Sequence, residues 1–187
     1  MEALARGGSR IIRVVLTGSE SSGKTELARR LAKHYGAELV PEFVRAFAEA
    51  KQAPIGFADH GPIARGQMAL EDKHGSLAAE GSGLVIQDTD LLSTVVYCDH
   101  YFGGCPPWII DTARERRPDL YLLLNPDVPW IADGIRDRGH LREEMHELFR
   151  NAVVASGAPY EIIEGTWDER WDEAVDAIDS LLARKLH

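Results

Sequence analysis

Between Gly18 and Thr25 the chain reads Gly18-Ser19-Glu20-Ser21-Ser22-Gly23-Lys24-Thr25, two glycines five residues apart followed by a lysine and a hydroxyl. Glycine allows backbone conformations that turn successive N–H groups toward one point, and such a nest holds an anion. A helix starting near Lys24 adds the positive end of its dipole. A lysine at this spacing reaches the terminal phosphates of a nucleoside triphosphate, and the Thr25 hydroxyl is placed to ligate Mg²⁺. A glycine-serine turn with a stray lysine has the same letters. What separates the two is context, because a strand must enter the loop and a helix must leave it. The run Ile11-Ile12-Arg13-Val14-Val15-Leu16 supplies the strand, and Leu27, Leu31 and Tyr35 at helical spacing supply the helix. Gly18, Ser19, Glu20, Ser21, Ser22, Gly23, Lys24 and Thr25 are therefore candidate ATP-binding residues. Lys24 is also a candidate catalytic group.

Three carboxylates stand where other apolar runs end. Asp88 and Asp90 follow Leu84-Val85-Ile86-Gln87. A carboxylate there can hold Mg²⁺ or its water, and it can equally cap the helix that begins at Leu91. One aspartate can do each, and Asp88 is the preferred metal ligand beside Thr25. Glu42 follows Glu38-Leu39-Val40-Pro41. It can orient or deprotonate a substrate hydroxyl, or stabilise a helix N-terminus. Further on, Arg136, Arg138 and Arg142 lie close together, with Gly134 and Gly139 around the first two. Phosphoryl transfer needs cations over the moving group, and a glycine-flanked segment can close over it. A solvated polar turn is the alternative, and the phosphate loop is what favours a lid over residues 133–142.

The elements that must carry these residues alternate. Strands are expected at 11–16, 38–40, 84–87, 119–124 and 160–163. Helices are expected at 26–35, 43–50, 62–79, 91–97, 140–155 and 169–186. Short, almost wholly apolar strands separated by helices predict an α/β fold with a parallel five-stranded sheet covered on both faces. Ligands of such sheets bind beyond the carboxyl ends of the strands, where the residues above cluster. The chain reads as a leader over 1–9 and one domain over 10–187.

Composition excludes several classes. The 187 residues are 44% hydrophobic and 27% charged, which is ordinary for a globular chain of one domain. There are 21 Lys and Arg against 30 Asp and Glu, a formal net charge of -9. That balance opposes nonspecific binding to nucleic acid or an anionic membrane. It does not oppose an anionic small ligand. Exposed charges beyond about 8–10 Å are screened, whereas Lys24 and the loop amides act at contact distance. Cys98 and Cys105 lack zinc-site spacing. No segment has the ~20 consecutive apolar residues of a membrane span. A reduced, cytoplasmic setting is the expectation, with the oligomeric state open.

The phosphate loop, Pro41-Glu42-Phe43-Val44-Arg45, Gln87-Asp88-Thr89-Asp90, Tyr97-Cys98-Asp99-His100-Tyr101-Phe102-Gly103, and Asp127-Val128-Pro129-Trp130 with Asp133-Gly134-Ile135-Arg136 occur in that order. Together they resemble the ribosylnicotinamide kinase domain of the NadR type, over about residues 13–182. The resemblance implies a P-loop kinase fold and the transfer of a phosphoryl group from ATP·Mg²⁺ to the 5′-hydroxyl of nicotinamide riboside. It implies that Lys24 and Thr25 serve ATP, that Asp88 sits at the metal, and that Arg136, Arg138 and Arg142 belong to the lid. By the same resemblance, Glu42 orients or deprotonates the hydroxyl. Candidate substrate-binding residues are Glu42, Arg45, Asp90, Asp99, Tyr101 and Trp130. Aromatic faces suit a flat cationic ring, and Tyr101, Phe102, Trp108 and Trp130 are the candidates; core packing is the alternative for each. In related kinases the loop after the fifth strand borders adenine, which makes Trp167 and Arg170 candidates. A helix cap at Thr166 or Asp168 explains the same stretch. The best-known members carry an adenylyltransferase domain ahead of the kinase, and some also a DNA-binding domain; neither activity is implied for this chain. The alternatives to this reading are a P-loop kinase for another nucleoside or nucleotide, and an ATP-binding switch that transfers nothing.

Overall fold

Residue parity sorts the core. Successive side chains of a strand point to opposite faces, so an apolar strand must be covered twice. In a computed structural model, which describes residues 10–127 and 142–185, five strands do this: β1 (Ile12–Thr17), β2 (Glu38–Val40), β3 (Leu84–Asp88), β4 (Leu120–Leu124) and β5 (Tyr160–Ile163). Their order is β2-β3-β1-β4-β5, and every pairing is parallel. Val14, Leu16, Leu84, Ile86, Leu122 and Leu124 face one way. They pack against Leu27 and Leu31 of α1 (Lys24–Tyr35) and Ala174, Ile178 and Leu181 of α7 (Trp167–Lys185). The residues between them face the other way. Val15 and Tyr121 meet Val153 of α6 (Arg142–Ser156), and Leu123 meets Phe149 of the same helix. Val85 meets Ala78 of α3 (His60–Glu80). β5 is one of the two edges, and only Ile163 of its four residues is buried.

The remaining described helices are α2 (Phe43–Lys51), α4 (Leu91–Phe102) and α5 (Pro107–Glu115). The expected helix at 91–97 runs on to Phe102, because nothing breaks it before Gly103, which terminates it at φ 70°. α5 was not expected, since Gly103-Gly104-Cys105-Pro106-Pro107 reads as loop. Proline opens a helix well because its missing N–H has no partner to lose. Ile109 then anchors that helix against Ala64 and Leu91. The leader 1–9 and most of the segment 133–142 lie outside the described residues. Among the described residues no helix is long and apolar enough to cross a membrane.

One buried cation ties the carboxyl ends of the strands to the phosphate loop. The Arg170 side chain is fully buried in the first turns of α7. Its guanidinium donates to Gly165 O at 2.9 Å, Ser22 O at 3.0 Å and Asn125 O at 2.9 Å, and it pairs with Asp127. Arg170, expected at a border with adenine, thus has these donors spent on the protein. The loop is also held by close approach. Gly18 has φ 130°, and a Cβ there would lie 2.7 Å from Leu124 O. Removing one partner of a buried charged network costs about 3 kcal/mol, whereas an exposed substitution costs about 0.5 or less. Arg170→Met is expected to lower the denaturant midpoint accordingly, and Arg29→Met, on the exposed face of α1, to leave it in place. Equal midpoints for the two variants would show that Arg170 is not a clamp.

Candidate functional site

The phosphate loop is built around its own lysine. Lys24 is 7% exposed, and its Nζ donates to Gly18 O at 2.9 Å and Ser19 O at 2.7 Å. It therefore lies across the loop's concave side, where the amides converge. Gly23, at φ 90°, opens α1. A Cβ there would stand 2.6 Å from the Trp167 ring, so this 41%-exposed indole borders the loop. Thr166 and Glu169 exchange capping bonds at the start of α7: Thr166 N and Oγ1 both donate to Glu169 Oε2 at 2.8 Å, and Glu169 N donates to Thr166 Oγ1 at 3.3 Å. Arg142 comes to the loop from α6, its Nη2 donating to Ser21 O at 2.9 Å. Burial holds its guanidinium below the ordinary value.

The two aspartates at the end of β3, Asp88 within it and Asp90 just beyond, part company. Thr89 between them has φ 68°, a left-handed conformation that costs a β-branched residue strain. The kink sends Asp88 toward α1, where Thr25 Oγ1 donates to its Oδ2 at 2.6 Å. It sends Asp90 into the core. Asp90 Oδ1 accepts from Leu92 N at 3.0 Å as the cap of α4, and its Oδ2 accepts from the Tyr121 hydroxyl at 2.6 Å. Burial pushes the Asp90 carboxyl up to about 7, with the nearby Glu71 charge adding to the rise and the Tyr121 bond opposing it. Glu71 is itself raised by burial, opposed by Arg116, whose Nε donates to its Oε2 at 2.9 Å and whose Nη2 donates to Asp72 at 2.6 Å.

A cavity of about 460 Å³ opens beside the loop, within the range of small-ligand sites. Glu20 of the phosphate loop lines it, together with Glu42 and Arg45 at the start of α2. The two are 3.7 Å apart, Arg45 Nε to Glu42 Oε2. His60 and Gln67 enter from α3, and Ser93, Tyr97 and Tyr101 from α4. The Tyr97 and Tyr101 rings are stacked, 6.2 Å apart and 8° from parallel. Phe102 also lines the cavity and meets His60 edge-on at 5.3 Å. Of the substrate-binding candidates, Glu42, Arg45, Asp90 and Tyr101 are brought together here. Asp99 is not: two residues past Tyr97, it points about 200° around the helix and is exposed. Trp108 stands away from the cavity beneath Arg65, 5.5 Å from the ring centre. Trp130, Arg136 and Arg138 lie outside the described residues.

Glu20, His60, Gln67, Ser93 and Tyr97 line this cavity and were not expected there. The helical spacing of 90, 93, 97 and 101 was the available signal for the α4 residues. His60 and Gln67 sit in a long helix with no motif. Among the described residues no group of three or more His, Cys, Asp and Glu gathers as a metal site. The Thr25–Asp88 oxygen pair fits Mg²⁺ all the same, because that ion takes one or two protein oxygens and completes its shell with phosphate and water.

The raised Asp90 carboxyl has a stability consequence. An unfolded carboxyl loses its proton near pH 4, and the folded one keeps it to about pH 7. Between these values the folded state binds more protons, so its stability falls as pH rises, by a few kcal/mol in all. Asp90→Asn retains a cap acceptor and removes the titration. The melting midpoint of the variant is expected to fall less than wild type between pH 4 and 7, and parallel curves would contradict this.

A family model described as an AAA domain matches residues 13–170. The trifunctional NAD biosynthesis/regulator protein NadR of Escherichia coli (strain K12) is 26% identical over 179 residues, 92% of this chain and 43% of that protein. A crystal structure of NadR protein in complex with NR superposes with a TM-score of 0.77 at 27% identity, covering 91% of this chain and 49% of that one. A second, of NadR protein in complex with NAD and AMP-PNP, gives 0.73 at 25% identity with the same coverage. The chain thus spans about half or less of the length of these NadR proteins. With its parallel sheet, phosphate loop and this match over most of its length, the chain belongs to the AAA-domain family of P-loop proteins and is a homologue of NadR.

Proposed function

We propose that the chain is an ATP-dependent kinase that phosphorylates the 5′-hydroxyl of nicotinamide riboside to nicotinamide mononucleotide, a step of NAD salvage. The observation that carries this reading is the continuity of two sites. Glu20 belongs to the phosphate loop and also lines the aromatic cavity, and Glu42 lines the same cavity. A triphosphate on the loop and a nucleoside in the cavity would meet there. The relatives crystallised with NR and with NAD and AMP-PNP support the same pair of ligands.

Lys24, already among the loop carbonyls, transfers its contacts to the β and γ phosphates. Thr25 and Asp88 hold Mg²⁺, which when bound neutralises charge on the phosphate oxygens. Glu42 accepts the proton of the 5′-hydroxyl or aligns it, the ribose oxygen forms a bond to the γ phosphorus, and the bond from that phosphorus to ADP breaks. The stacked pair Tyr97 and Tyr101 offers faces to the cationic pyridinium ring. Arg142, bonded to Ser21 O, is the described end of the arginine lid, with Arg136 and Arg138 assigned to the same role. Trp167 borders the adenine side.

The deciding experiment incubates the protein with Mg·ATP and a panel of nucleosides and reads products by mass. Nicotinamide mononucleotide is expected in step with ADP. If no acceptor is phosphorylated while ATP still binds, the kinase reading fails. Lys24→Ala is expected to cut transfer about 100- to 1,000-fold with the fold intact. Glu42→Gln is expected to lower kcat about 100-fold or more with ATP affinity little changed. An unchanged kcat would leave Glu42 as a helix-terminal residue only.

A further inference from the structure

His60 lines the cavity at the start of α3 and is only 4% exposed. Its Nδ1 lies 3.1 Å from Gly56 O and 3.2 Å from Phe57 O. A carbonyl oxygen only accepts, so Nδ1 carries the hydrogen and donates. That fixes the tautomer. In the neutral ring Nε2 is then a bare acceptor, and among the described residues nothing donates to it.

The ring is also held in place. Pro54 and Ile55, in the segment just before the two carbonyls, line the cavity as well. Asp59 fixes that segment by accepting from Gly56 N at 2.6 Å and pairing with Lys51. Phe102 of α4 meets the imidazole edge-on at 5.3 Å, and the tilted Phe57 ring lies 6.5 Å from it. A nitrogen oriented in this way has lost its freedom before a ligand arrives, which is what a selective contact needs.

The run of α3 decides which end of a ligand His60 meets. Gln67 Oε1 accepts from Phe43 N at 3.0 Å, which sets Glu42, the residue before, level with Gln67. His60 is seven residues earlier on the same helix, about 10 Å away along its axis. There it stands level with Phe102, the residue after Tyr101. That separation is comparable with the reach of a ribosyl-pyridinium from its 5′-oxygen to a substituent on the ring. With the hydroxyl at Glu42 and the ring against the stacked tyrosines, the far edge of the ring comes to Nε2. A bare acceptor there suits an N–H and opposes the lone pairs of a carboxylate oxygen.

Resting on the kinase reading above, we propose that His60 Nε2 accepts a hydrogen bond from the carboxamide NH₂ of the acceptor ring, held for that contact by the carbonyls of Gly56 and Phe57. His60 is then a specificity residue. It favours a ring substituent that carries an N–H over a bare ring and over a carboxylate.

The test measures initial rates with Mg·ATP for three acceptors: nicotinamide riboside, nicotinic acid riboside, and the pyridinium riboside with no ring substituent. Wild type is expected to favour the carboxamide over the bare ring about tenfold in kcat/KM, the scale of one hydrogen bond, and over the carboxylate about 100-fold. Equal values for carboxamide and bare ring, or a preference for the carboxylate, overturn the assignment without any variant. In His60→Asn the side-chain NH₂ takes the place of Nδ1 and keeps a donor for Gly56 O, while nothing replaces Nε2. The ratio of kcat/KM for the carboxamide to that for the bare ring is expected to fall about tenfold. In His60→Gln the amide oxygen reaches the place of Nε2 and the bond to the segment is lost. Its ratio is expected to stay above that of His60→Asn, while KM rises for both ribosides. A wild-type ratio in His60→Asn overturns the assignment and leaves the kinase reading standing. Equal losses on both ribosides with a lowered melting midpoint place His60 in packing alone and overturn it too. If wild type phosphorylates none of the three, the kinase reading fails and the assignment falls with it.

Discussion

A phosphate loop has no ladder of its own to hold it. Its carbonyls therefore need partners: Lys24 takes those of Gly18 and Ser19, Arg142 that of Ser21, and the Arg170 guanidinium that of Ser22 while tying the loop to two neighbouring turns. Arg170 reaches from α7 to Ser22 O in the loop, to Asn125 O after β4 and to Gly165 O after β5. Taking a guanidinium out of water is costly unless its donors are met. The arrangement therefore exists only when all three chain segments stand in place at once. The loop, the end of β4 and the turn into α7 are fixed together, which also sets the Trp167 ring against Gly23. Gly18 adds a steric condition, since only a residue without Cβ can sit so close to Leu124 O.

The parallel sheet does the coarse positioning, and backbone strain does the fine. All strand ends point one way, so Asp88 arrives beside Thr25 by topology. The left-handed Thr89 then turns the next residue away, and Asp90 goes to the α4 cap and to Tyr121. Two aspartates two residues apart are thereby assigned to different surroundings. One meets a hydroxyl at the phosphate loop, and the other is desolvated enough to hold its proton.

The strands, their parallel pairing and the loop, though not the strand order, were legible because each is a local pattern: an apolar run, a glycine spacing, a helix signal behind it. Asp88 and Glu42 were legible as residues at strand ends. The cavity was not, because it is made between helices. Its α4 side follows a helical period that points Tyr97 and Tyr101 inward and Asp99 outward, and reading the stretch as one motif blurred the two faces. Its α3 side carries His60 and Gln67 from a helix without any motif, which only tertiary packing, such as that of Phe43 on Gly66, brings into place. The burial of Arg170 was illegible for a related reason: a charged residue near a ligand loop looks exposed in a sequence, and only the structure shows that it faces inward.

The electrostatic layout accounts for the acidic character of a chain proposed to bind a polyanion. On the loop side stand Lys24, the helix dipole of α1, the loop amides and Arg142, all within contact range of a triphosphate. On the cavity side stand Glu20 and Glu42 with a single described guanidinium, Arg45. A nucleoside with a cationic ring and a nucleotide with several negative charges would be drawn to opposite ends of this gradient, and each would be repelled from the other's place. The negative wall that attracts the acceptor ring also ends at the carboxylate proposed to take its proton. In the proposed reaction Glu42 would thus serve the cavity's charge and the chemistry of transfer from one position.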